Sequence, residues 1–352
     1  LPALRGRRVD ADLVLLATPD SPAAAMIAAA ENAGIPVYQE VLPHAVAPGL
    51  LARLTRYFRR HKPDLVHTHL FHADVYGVLA ARWAGVSKVV SSRYADRAAA
   101  RRWTTRWLNR WLWKRIDHGI AVNACARDFA LTMEGIRPEH ITTVHYGLAS
   151  DKLRVGQGAR AVLGAELGIP SPEAPLIGLA CRLDGQHDEP MSTLQAFWHI
   201  SARYPEAHLL IAGDGPLRQS LERQARGYGL EQQVHFLGWR DDMPAIIAVL
   251  DVLIVPGAQA GADMALLEAM ALGTPVIASD ADSTLEIVVN GETGLLIPMQ
   301  RVDLLTGSLA LLLEDGELRR RMAAAARQRL ESNFSVDRMV DEILGVYERL
   351  LA

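Results

Sequence analysis

The amino-acid sequence predicts an α/β protein with two doubly wound domains. Short runs of apolar and β-branched residues alternate with longer helical stretches along all 352 residues, which is typical of parallel sheets joined by crossover helices. A chain of this length suits two domains of ordinary size better than one. Half of the residues are hydrophobic and 22% are charged, so there is enough apolar material for two cores.

The predicted strands are short apolar runs, and several follow a Gly, Pro or Asp stop, as in Lys62-Pro63-Asp64. In the first half they cover residues 12–18, 36–41, 64–67, 88–92, 118–122 and 142–145. In the second half they cover residues 176–181, 208–212, 234–237, 252–255, 275–279 and 294–297. The clearest helical patterns between them cover residues 23–33, 48–61, 189–203 and 217–226.

The boundary between the domains is predicted where the composition shifts, at residues rich in Gly and Pro that flank a short helix. We therefore expect a first domain over residues 1–150, a linker over 151–174 and a second domain over 175–333. Residues 334–352 predict one amphipathic helix. Its apolar face is formed by Val336, Met339, Ile343, Val346 and Leu350.

Charge and composition exclude some classes of protein and favour one compartment. The net charge of −3 is not that of a nucleic-acid-binding surface. Cys125 and Cys181 have no metal-binding spacing, so buried free thiols and a reducing, cytoplasmic compartment are expected. No run is apolar enough for a membrane span, and no signal peptide is recognisable. The chain begins at Leu1 without a Met, so an upstream piece is expected to be missing.

Ligand-binding residues are expected in the loops that follow the strands, because ligands of doubly wound sheets bind beyond the carboxyl ends of the strands. Two such domains would face each other across a cleft. In the second half these loops and the elements beside them form a recognisable series over about 120 residues. The series consists of Leu176 to Leu183, Leu209 to Pro216, Val234 to Trp239, Ala265 to Ala271, Gly273 to Asp280 and Asn290 to Leu296.

This series strongly resembles family 4 of the retaining glycosyltransferases, which have the GT-B fold: two Rossmann-like domains facing a cleft, with a final helix that crosses back to the first domain. Residues 63–69 resemble the strand of that family that leads into the acceptor side of the cleft. Residues 145–148 resemble the segment in which the chain leaves the first domain towards the second. Family members usually open with a strand and a glycine-rich loop ahead of a helix that ends like residues 1–4. We expect that element to be absent and an edge of the first sheet to be open.

The resemblance implies a metal-independent transfer of a hexose-type sugar, with retention, from a nucleotide-diphosphate donor to a hydroxyl acceptor, without a cofactor. Breaking a sugar–diphosphate bond requires a cation or a helix N-terminus to stabilise the departing charge. Arg182 is the expected cation and Glu268 the expected acceptor of ribose hydroxyl groups. A surface ion pair and an exposed helix carboxylate are the respective alternatives. The resemblance completes the predicted donor site with Gly213, Gly215, Pro216, Trp239, Gly261 and Met264.

On the acceptor side, His69 is the predicted contact with substrate, and a structural histidine is the alternative. His67 and His72 lie near it in sequence, but no Cys or carboxylate pattern supports a metal site there. The implied partners are a nucleotide sugar and a carbohydrate or lipid-linked acceptor.

Several positions depart from the family pattern on the donor side. His187 stands where a lysine is expected and is predicted, with Arg182, to hold the diphosphate, although a neutral imidazole is a poor substitute for a permanent ammonium there. Ala260 replaces a glutamate that touches the donor sugar. Asp263, a good helix N-cap residue, replaces a small residue whose backbone faces the diphosphate, and Asp282-Ser283 replaces a glycine pair.

The segment from Arg93 to Arg115 is basic and rich in tryptophan at helical spacing. Such a helix can lie on an anionic membrane surface, which would make the protein peripheral at the inner face. The alternative is a helix whose tryptophans pack on the first sheet.

The leading hypothesis is therefore a glycosyltransferase with impaired activity. The rival is a non-catalytic relative that keeps the fold for binding, which the changes at Ala260 and Asp263 favour. A third alternative is a reconstructed sequence whose site was never selected.

Overall fold

The structure is a computed structural model of the chain and describes residues 2–7, 9–17, 24–42, 47–94, 103–153, 155–184, 189–257, 262–281 and 283–352. It divides into two compact units. Unit 1 contains Leu1–His145 and Val336–Ala352, and unit 2 contains Tyr146–Ser335. Both are α/β units with parallel strands, which confirms the predicted fold class.

The strands lie where the alternation of apolar runs predicts them. In unit 1 they are Leu13–Ala17 (β1), Val37–Val41 (β2), Leu65–His69 (β3), Lys88–Arg93 (β4), His118–Ala121 (β5) and Ile141–Thr143 (β6). In unit 2 they are Leu176–Ala180 (β7), His208–Ala212 (β8), Val234–Gly238 (β9), Val252–Val255 (β10), Val276–Ser279 (β11) and Leu295–Ile297 (β12).

Most of the longer helices lie on helical patterns of the sequence, whereas Val302–Glu314 and Gly316–Asn333 were not predicted. In unit 1 they are Ala24–Asn32, Pro48–His61, Trp103–Trp113 and Val336–Leu351. In unit 2 they are Ala159–Leu167, Glu189–Ser201, Arg218–Gly227, Ala262–Leu272, Val302–Glu314 and Gly316–Asn333. Shorter helices cover Pro2–Arg5, Phe71–Ala73, Leu79–Ala84, Ala124–Phe129, Met243–Ile247 and Thr284–Ile287.

The strands of unit 1 form two separate parallel sheets within the described residues, rather than one. Strand β1 pairs with β2, and a four-stranded sheet has the order β3-β4-β5-β6. Strand β3 therefore has one described strand neighbour, and its other side is an edge of the four-stranded sheet. The helix Pro48–His61 covers this sheet because Leu50, Leu54 and Phe58 recur at helical spacing and are buried against it.

The final helix, Val336–Leu351, belongs to unit 1, which confirms the predicted crossing back to the first domain. Val346 is fully buried against Val90, Ile120 and Val144, all from strands or strand ends of the four-stranded sheet. Its predicted apolar face therefore packs as the 3.6-residue period requires.

Two π-helical segments in unit 1, Asp74–Val78 and Ala130–Glu134, were not expected from the sequence. Each follows directly on an α-helix and places one carboxylate, Asp74 or Glu134, in the interior. Segments of this kind often occur at functional sites.

Unit 2 has one six-stranded parallel sheet with the order β12-β11-β10-β7-β8-β9. Successive residues of a strand face opposite sides, so Leu209 and Ile211 enter one core while Leu210 enters the other. The strand order reverses between β7 and β10, and this switch point is where a ligand is expected to bind.

Residues 151–174, expected to link the domains, lie within unit 2. Leu163 is part of its core. Arg160 Nη1 donates to the Val249 carbonyl oxygen at 2.5 Å, and its Nη2 lies 3.1 Å from the Asp251 carboxylate. The segment is therefore fixed to the sheet.

Candidate functional site

The carboxyl edge of the unit 2 sheet carries most of the predicted donor residues. Arg182 follows β7, and the helix Ala262–Leu272 with Glu268 follows β10, so both flank the switch point. The turn at Gly213 follows β8, one strand further along the sheet. Trp239 follows β9, two strands from β7, which is roughly 10 Å at the usual strand spacing. The fold thus groups Arg182 and the Glu268 helix and sets Trp239 apart.

Arg182 presents a charged group at this edge. Its side chain is 58% exposed, and its Nε lies 3.8 Å from the Asp184 carboxylate. An exposed ion pair at that distance stabilises little. More than half of the Arg182 side chain is thus exposed to solvent at this edge.

Gly213 and Gly215 have a packing role that the sequence did not reveal. Their φ values are +137° and +153°, a region that side chains disfavour. A Cβ on Gly213 would lie 1.8 Å from the Cys181 carbonyl oxygen, and one on Gly215 would lie 2.3 Å from that of Leu183. Both glycines therefore allow a close approach of the loop that carries Arg182, and their contact with a donor stays a prediction. The missing side chains let the two loops pack together and hold that loop in place.

Glu268 lies on the helix Ala262–Leu272 and is half-buried. Leu266, Leu267 and Ala269 beside it are fully buried, so the carboxylate sits where the helix meets the core. Burial raises the pKa of Glu268, because the charged form loses solvation there. The alternative of a fully exposed carboxylate is therefore wrong, and the site suits hydrogen bonds from ligand hydroxyl groups.

The remaining predicted donor residues differ in exposure. Trp239 is 78% exposed, Pro216 is exposed, and Met264 is half-buried and packs against the core under its helix. His187 and Gly261 lie outside the described residues, as do Ala260 and Asp282.

Asp263 is the second residue of the helix Ala262–Leu272, so it lies inside the first turn and not at the predicted N-cap position ahead of it. Ser283 Oγ, from the loop after β11, donates to Asp263 Oδ1 at 2.5 Å. Sequence reasoning identified both residues as departures but did not pair them. No spacing rule links Asp263, in the first turn of a helix, to Ser283, 20 positions later in the loop after β11.

His69, the predicted acceptor-side residue, lies at the end of β3 in unit 1. Its Nδ1 lies 3.1 Å from the hydroxyl oxygen of Tyr94, and its ring stacks on that of His67 at 4.4 Å. Packing against neighbouring protein atoms lowers the pKa of His69, although the side chain keeps an exposed face. His69 is therefore a neutral ring at neutral pH.

His67 is held between two hydroxyl groups. Its Nδ1 lies 2.6 Å from the Tyr347 hydroxyl oxygen, and its Nε2 lies 2.9 Å from that of Ser92. Burial lowers the pKa of His67 well below its usual value, so it is neutral. Among the residues described, no group of three or more His, Cys, Asp or Glu side chains is placed to hold a metal ion.

Arg93 is buried, which contradicts its predicted place on a basic surface. It is 7% exposed, and Nη1 donates to the fully buried Asp74 at 2.5 Å. Its Nε lies 3.2 Å from Glu134, and its guanidinium lies 4.6 Å from the centre of the Trp113 ring. The two π-helical segments thus supply the two carboxylates around one buried cation.

The rest of the basic segment is divided between core and surface. Residues 95–102 lie outside the described part of the chain. Trp111 packs against the unit 1 core with Arg115 over its ring, as the packing alternative requires, whereas Trp107 is 63% exposed. No described helix has both the length and the apolar character to cross a membrane.

Comparison with known families gives two matches that together account for most of the chain. The family described as "Glycosyl transferase 4-like domain" matches residues 1–147. The family described as "Glycosyl transferases group 1" matches residues 186–329.

Two curated relatives align over much of both chains. The chain is 25% identical to alpha-D-kanosaminyltransferase of Streptomyces kanamyceticus, over 87% of this chain and 83% of that protein. It is 26% identical to the UDP-Gal:alpha-D-GlcNAc-diphosphoundecaprenol alpha-1,3-galactosyltransferase of Escherichia coli, over 84% and 78%.

Solved structures share the fold at lower identity. A glycosyltransferase from Rickettsia africae superposes with a TM-score of 0.80 at 15% identity, and the match covers 99% of this chain and 93% of the Rickettsia chain. Anabaena HepE, solved with UDP and glucose, has a TM-score of 0.80 at 20% identity, with 99% and 94% covered. With its two parallel α/β units, its crossing helix and both family matches, the chain belongs to the group 1 glycosyltransferases of family 4 and has the GT-B fold.

Proposed function

We propose that the protein moves a hexose-type sugar from a nucleotide-diphosphate donor to a hydroxyl acceptor with retention, without a metal ion, and at reduced rate. The observation that supports this most is the placement of Arg182 and the Glu268 helix on the two strands that flank the switch point of unit 2. A cation and a half-buried hydroxyl acceptor at that edge suit a nucleotide.

Each residue has a defined role in this proposal. The Arg182 guanidinium stabilises the negative charge that develops on the departing nucleotide. The Glu268 carboxylate accepts hydrogen bonds from the ribose hydroxyl groups. In unit 1, neutral His69 hydrogen-bonds the acceptor hydroxyl through Nε2, since Tyr94 engages Nδ1.

The relatives support the donor and acceptor classes. One uses UDP-galactose and a diphosphoundecaprenol-linked sugar by name, and one solved neighbour binds UDP-glucose. We therefore propose a nucleotide sugar as donor, a carbohydrate or lipid-linked acceptor, and a cytoplasmic protein that reaches lipid-linked acceptors at the inner face of the membrane. The exposed Trp107 is the described side chain of the basic segment that suits such a contact.

The reduced rate follows from the altered donor positions. Ala260 cannot hydrogen-bond a sugar, and His187 lacks a permanent charge. The Asp263 carboxylate lies in the first turn of the helix after β10, where a phosphate would otherwise be stabilised. The same changes support a second candidate function, a non-catalytic glycosyltransferase-like binding protein.

Calorimetric titration with UDP, GDP and ADP, and then with their sugar conjugates, tests the donor site. We expect one of the three nucleoside diphosphates to bind at least about tenfold more tightly than the other two. Glu268→Ala should weaken that binding by a similar factor, and Arg301→Ala, which removes an exposed guanidinium paired with Asp303, should not. Failure of every nucleotide and nucleotide sugar to bind would overturn the proposal.

Restoring the altered positions separates an impaired enzyme from a non-catalytic relative. The variant with Ala260→Glu, Asp263→Gly and His187→Lys should hydrolyse the preferred nucleotide sugar measurably faster than the parent protein. A nucleotide that binds without any increase in hydrolysis would favour the non-catalytic relative.

A further inference from the structure

Trp198 and Tyr228 form an aromatic stack on the surface of unit 2. Their rings lie with centroids 4.9 Å apart and planes 14° apart. Trp198 lies on the helix Glu189–Ser201, and Tyr228 directly follows the helix Arg218–Gly227. Trp198 is 41% exposed, although one face of its indole is covered by Tyr228. The opposite face of the indole is therefore open to solvent.

The stack is fixed to the body of unit 2. Tyr228 is half-buried and packs against the hydrophobic core, and its backbone N–H donates to the Gln224 carbonyl oxygen at 3.0 Å. On the other helix, the Ser201 hydroxyl donates to the Trp198 carbonyl oxygen at 2.9 Å. Tryptophan and tyrosine side chains are rigid, so a ligand that stacks on them orders few additional bonds.

The surroundings of the stack are open and polar. Gly227 and Gly229 flank Tyr228, and no neighbouring side chain lies within 4 Å of a Cβ at either position. The exposed His199 has its ring 4.8 Å from that of Trp198. Gln224, one helical turn before Tyr228, is also exposed. Hydrogen-bonding side chains therefore lie beside an accessible aromatic surface.

The stack lies away from the candidate donor residues. In a parallel α/β unit each helix runs back from the carboxyl ends of the strands towards their amino ends. Trp198 is in the last turn of the helix after β7, and Tyr228 ends the helix after β8. Trp198 lies nine residues beyond Glu189, which is roughly 13 Å along the helix axis. Arg182 precedes that helix at the opposite edge of the sheet.

The size of the apolar patch indicates which kind of occupant it suits. On the two helices and the turn at Tyr228, all of them described, Trp198 is the one large apolar side chain that is exposed. A protein interface usually buries about 800 Å² on each partner around an apolar centre, and one indole face is far smaller. A pyranose ring matches it, because it has C–H groups on one face and hydroxyl groups around its rim.

We propose that the Trp198–Tyr228 stack is a carbohydrate-binding site, in which one pyranose residue of an oligosaccharide stacks on the open indole face. The ligand class is a glucose-type pyranose, since equatorial substituents leave a flat face of C–H groups. His199 and Gln224 hydrogen-bond the hydroxyl groups at its rim. This binding requires no nucleotide, so the inference goes beyond the proposed function and does not depend on it.

The test uses the full chain without nucleotide. Cellohexaose, maltohexaose and chitohexaose are titrated separately, and the indole N–H signals are followed by NMR, with Trp198→Phe to assign the signal of Trp198. At least one oligosaccharide should shift that signal with a dissociation constant on the order of 1 mM, because one stacked ring is a small contact. The indole signal of Trp239, at the other edge of the sheet, should not move.

Three variants make the result specific, with affinity measured by saturation transfer to the oligosaccharide. Trp198→Ala should weaken binding at least about tenfold. Trp198→Tyr keeps an aromatic face and should bind within about threefold of the parent protein. Trp83→Ala is the matched control, because Trp83 is 59% exposed on a helix of unit 1, Leu79–Ala84. It should bind as the parent protein does.

The contrary outcomes are equally definite. An unmoved Trp198 signal with all three oligosaccharides would overturn the inference, and so would equal binding by the parent and a folded Trp198→Ala protein. Self-association of the parent that Trp198→Ala abolishes would assign the stack to a contact between two copies of the chain and overturn it as well. None of these measurements contains a nucleotide, so the titrations with UDP, GDP and ADP decide the proposed function separately.

Discussion

The hydroxyl oxygen of Tyr347 lies 2.6 Å from Nδ1 of His67, a residue 280 positions earlier in the chain. This contact fixes the final helix to β3, and Ser92 holds the opposite nitrogen of the same ring. The ring of His69 stacks on that of His67. The final helix is thus anchored next to the predicted acceptor-side histidine.

Tyr347→Phe should lower the free energy of unfolding of unit 1 by about 1–3 kcal/mol, because it leaves a buried ring nitrogen without its partner. Hydrogen exchange of the β3 and β4 amides measures this loss. Tyr204→Phe removes a hydroxyl bonded to Glu314 near the surface and should change stability by less than about 0.5 kcal/mol. Equal losses of stability in the two variants would show that the His67 contact stabilises the protein no more than a hydrogen bond near the surface does.

Asp74→Ala should destabilise unit 1 by about 3–5 kcal/mol, since it breaks a buried ion pair and leaves the Arg93 guanidinium short of a partner. Urea denaturation gives the change. Asp341→Ala removes an exposed partner of Arg7 and should cost less than about 1 kcal/mol. If Asp74→Ala were as mild as this control, the buried cluster would not be a stabilising feature.

Gly213→Ala should destabilise unit 2 by more than about 2 kcal/mol and weaken nucleotide binding, because a Cβ would collide with the Cys181 carbonyl oxygen and displace the Arg182 loop. Gly227→Ala is the control, since no atom lies within 4 Å of a Cβ there. It should be neutral or stabilise by about 0.5–1 kcal/mol. Thermal unfolding and calorimetry measure the two effects, and a harmless Gly213→Ala would contradict the packing role.

The paired rings of His208 and His235, with nitrogens 3.0 Å apart, predict a pH dependence. Burial lowers the pKa of both, to about 4 for His235, below the value of about 6.5 in an unfolded chain. The unfolded state therefore binds more protons between these values, and stability falls as pH drops through that window. His235→Gln should reduce the drop in Tm between pH 7 and pH 4.5. An unchanged drop would exclude this pair as its source.

The strands and long helices could be predicted because they depend on local patterns. A short continuous apolar run such as that of β8, bounded by turn residues, predicts a strand buried on both faces. Arg182 directly follows β7 and Glu268 lies on the helix that follows β10, as their positions after predicted strands indicated.

Contacts between distant loops could not be predicted in the same way. Asp74 and Glu134 look like surface carboxylates in sequence, and only the folded chain brings them to Arg93. The glycines of the β8 turn were recognised, but their partner was not, because the approaching atom belongs to another loop. The pairing of Asp263 with Ser283 depends in the same way on the distance between two loops, which no sequence period encodes.

The position of the final helix in unit 1 has a consequence for synthesis of the chain. Unit 2 is one continuous stretch, Tyr146–Ser335, whereas unit 1 is built from two separate segments, Leu1–His145 and Val336–Ala352. At ordinary translation rates the ribosome spends roughly 10–40 s on the intervening unit after it has made the first 145 residues. During that interval His67 lacks its hydrogen-bond partner Tyr347. Unit 1 therefore cannot reach its native structure until the segment Val336–Ala352 has been made.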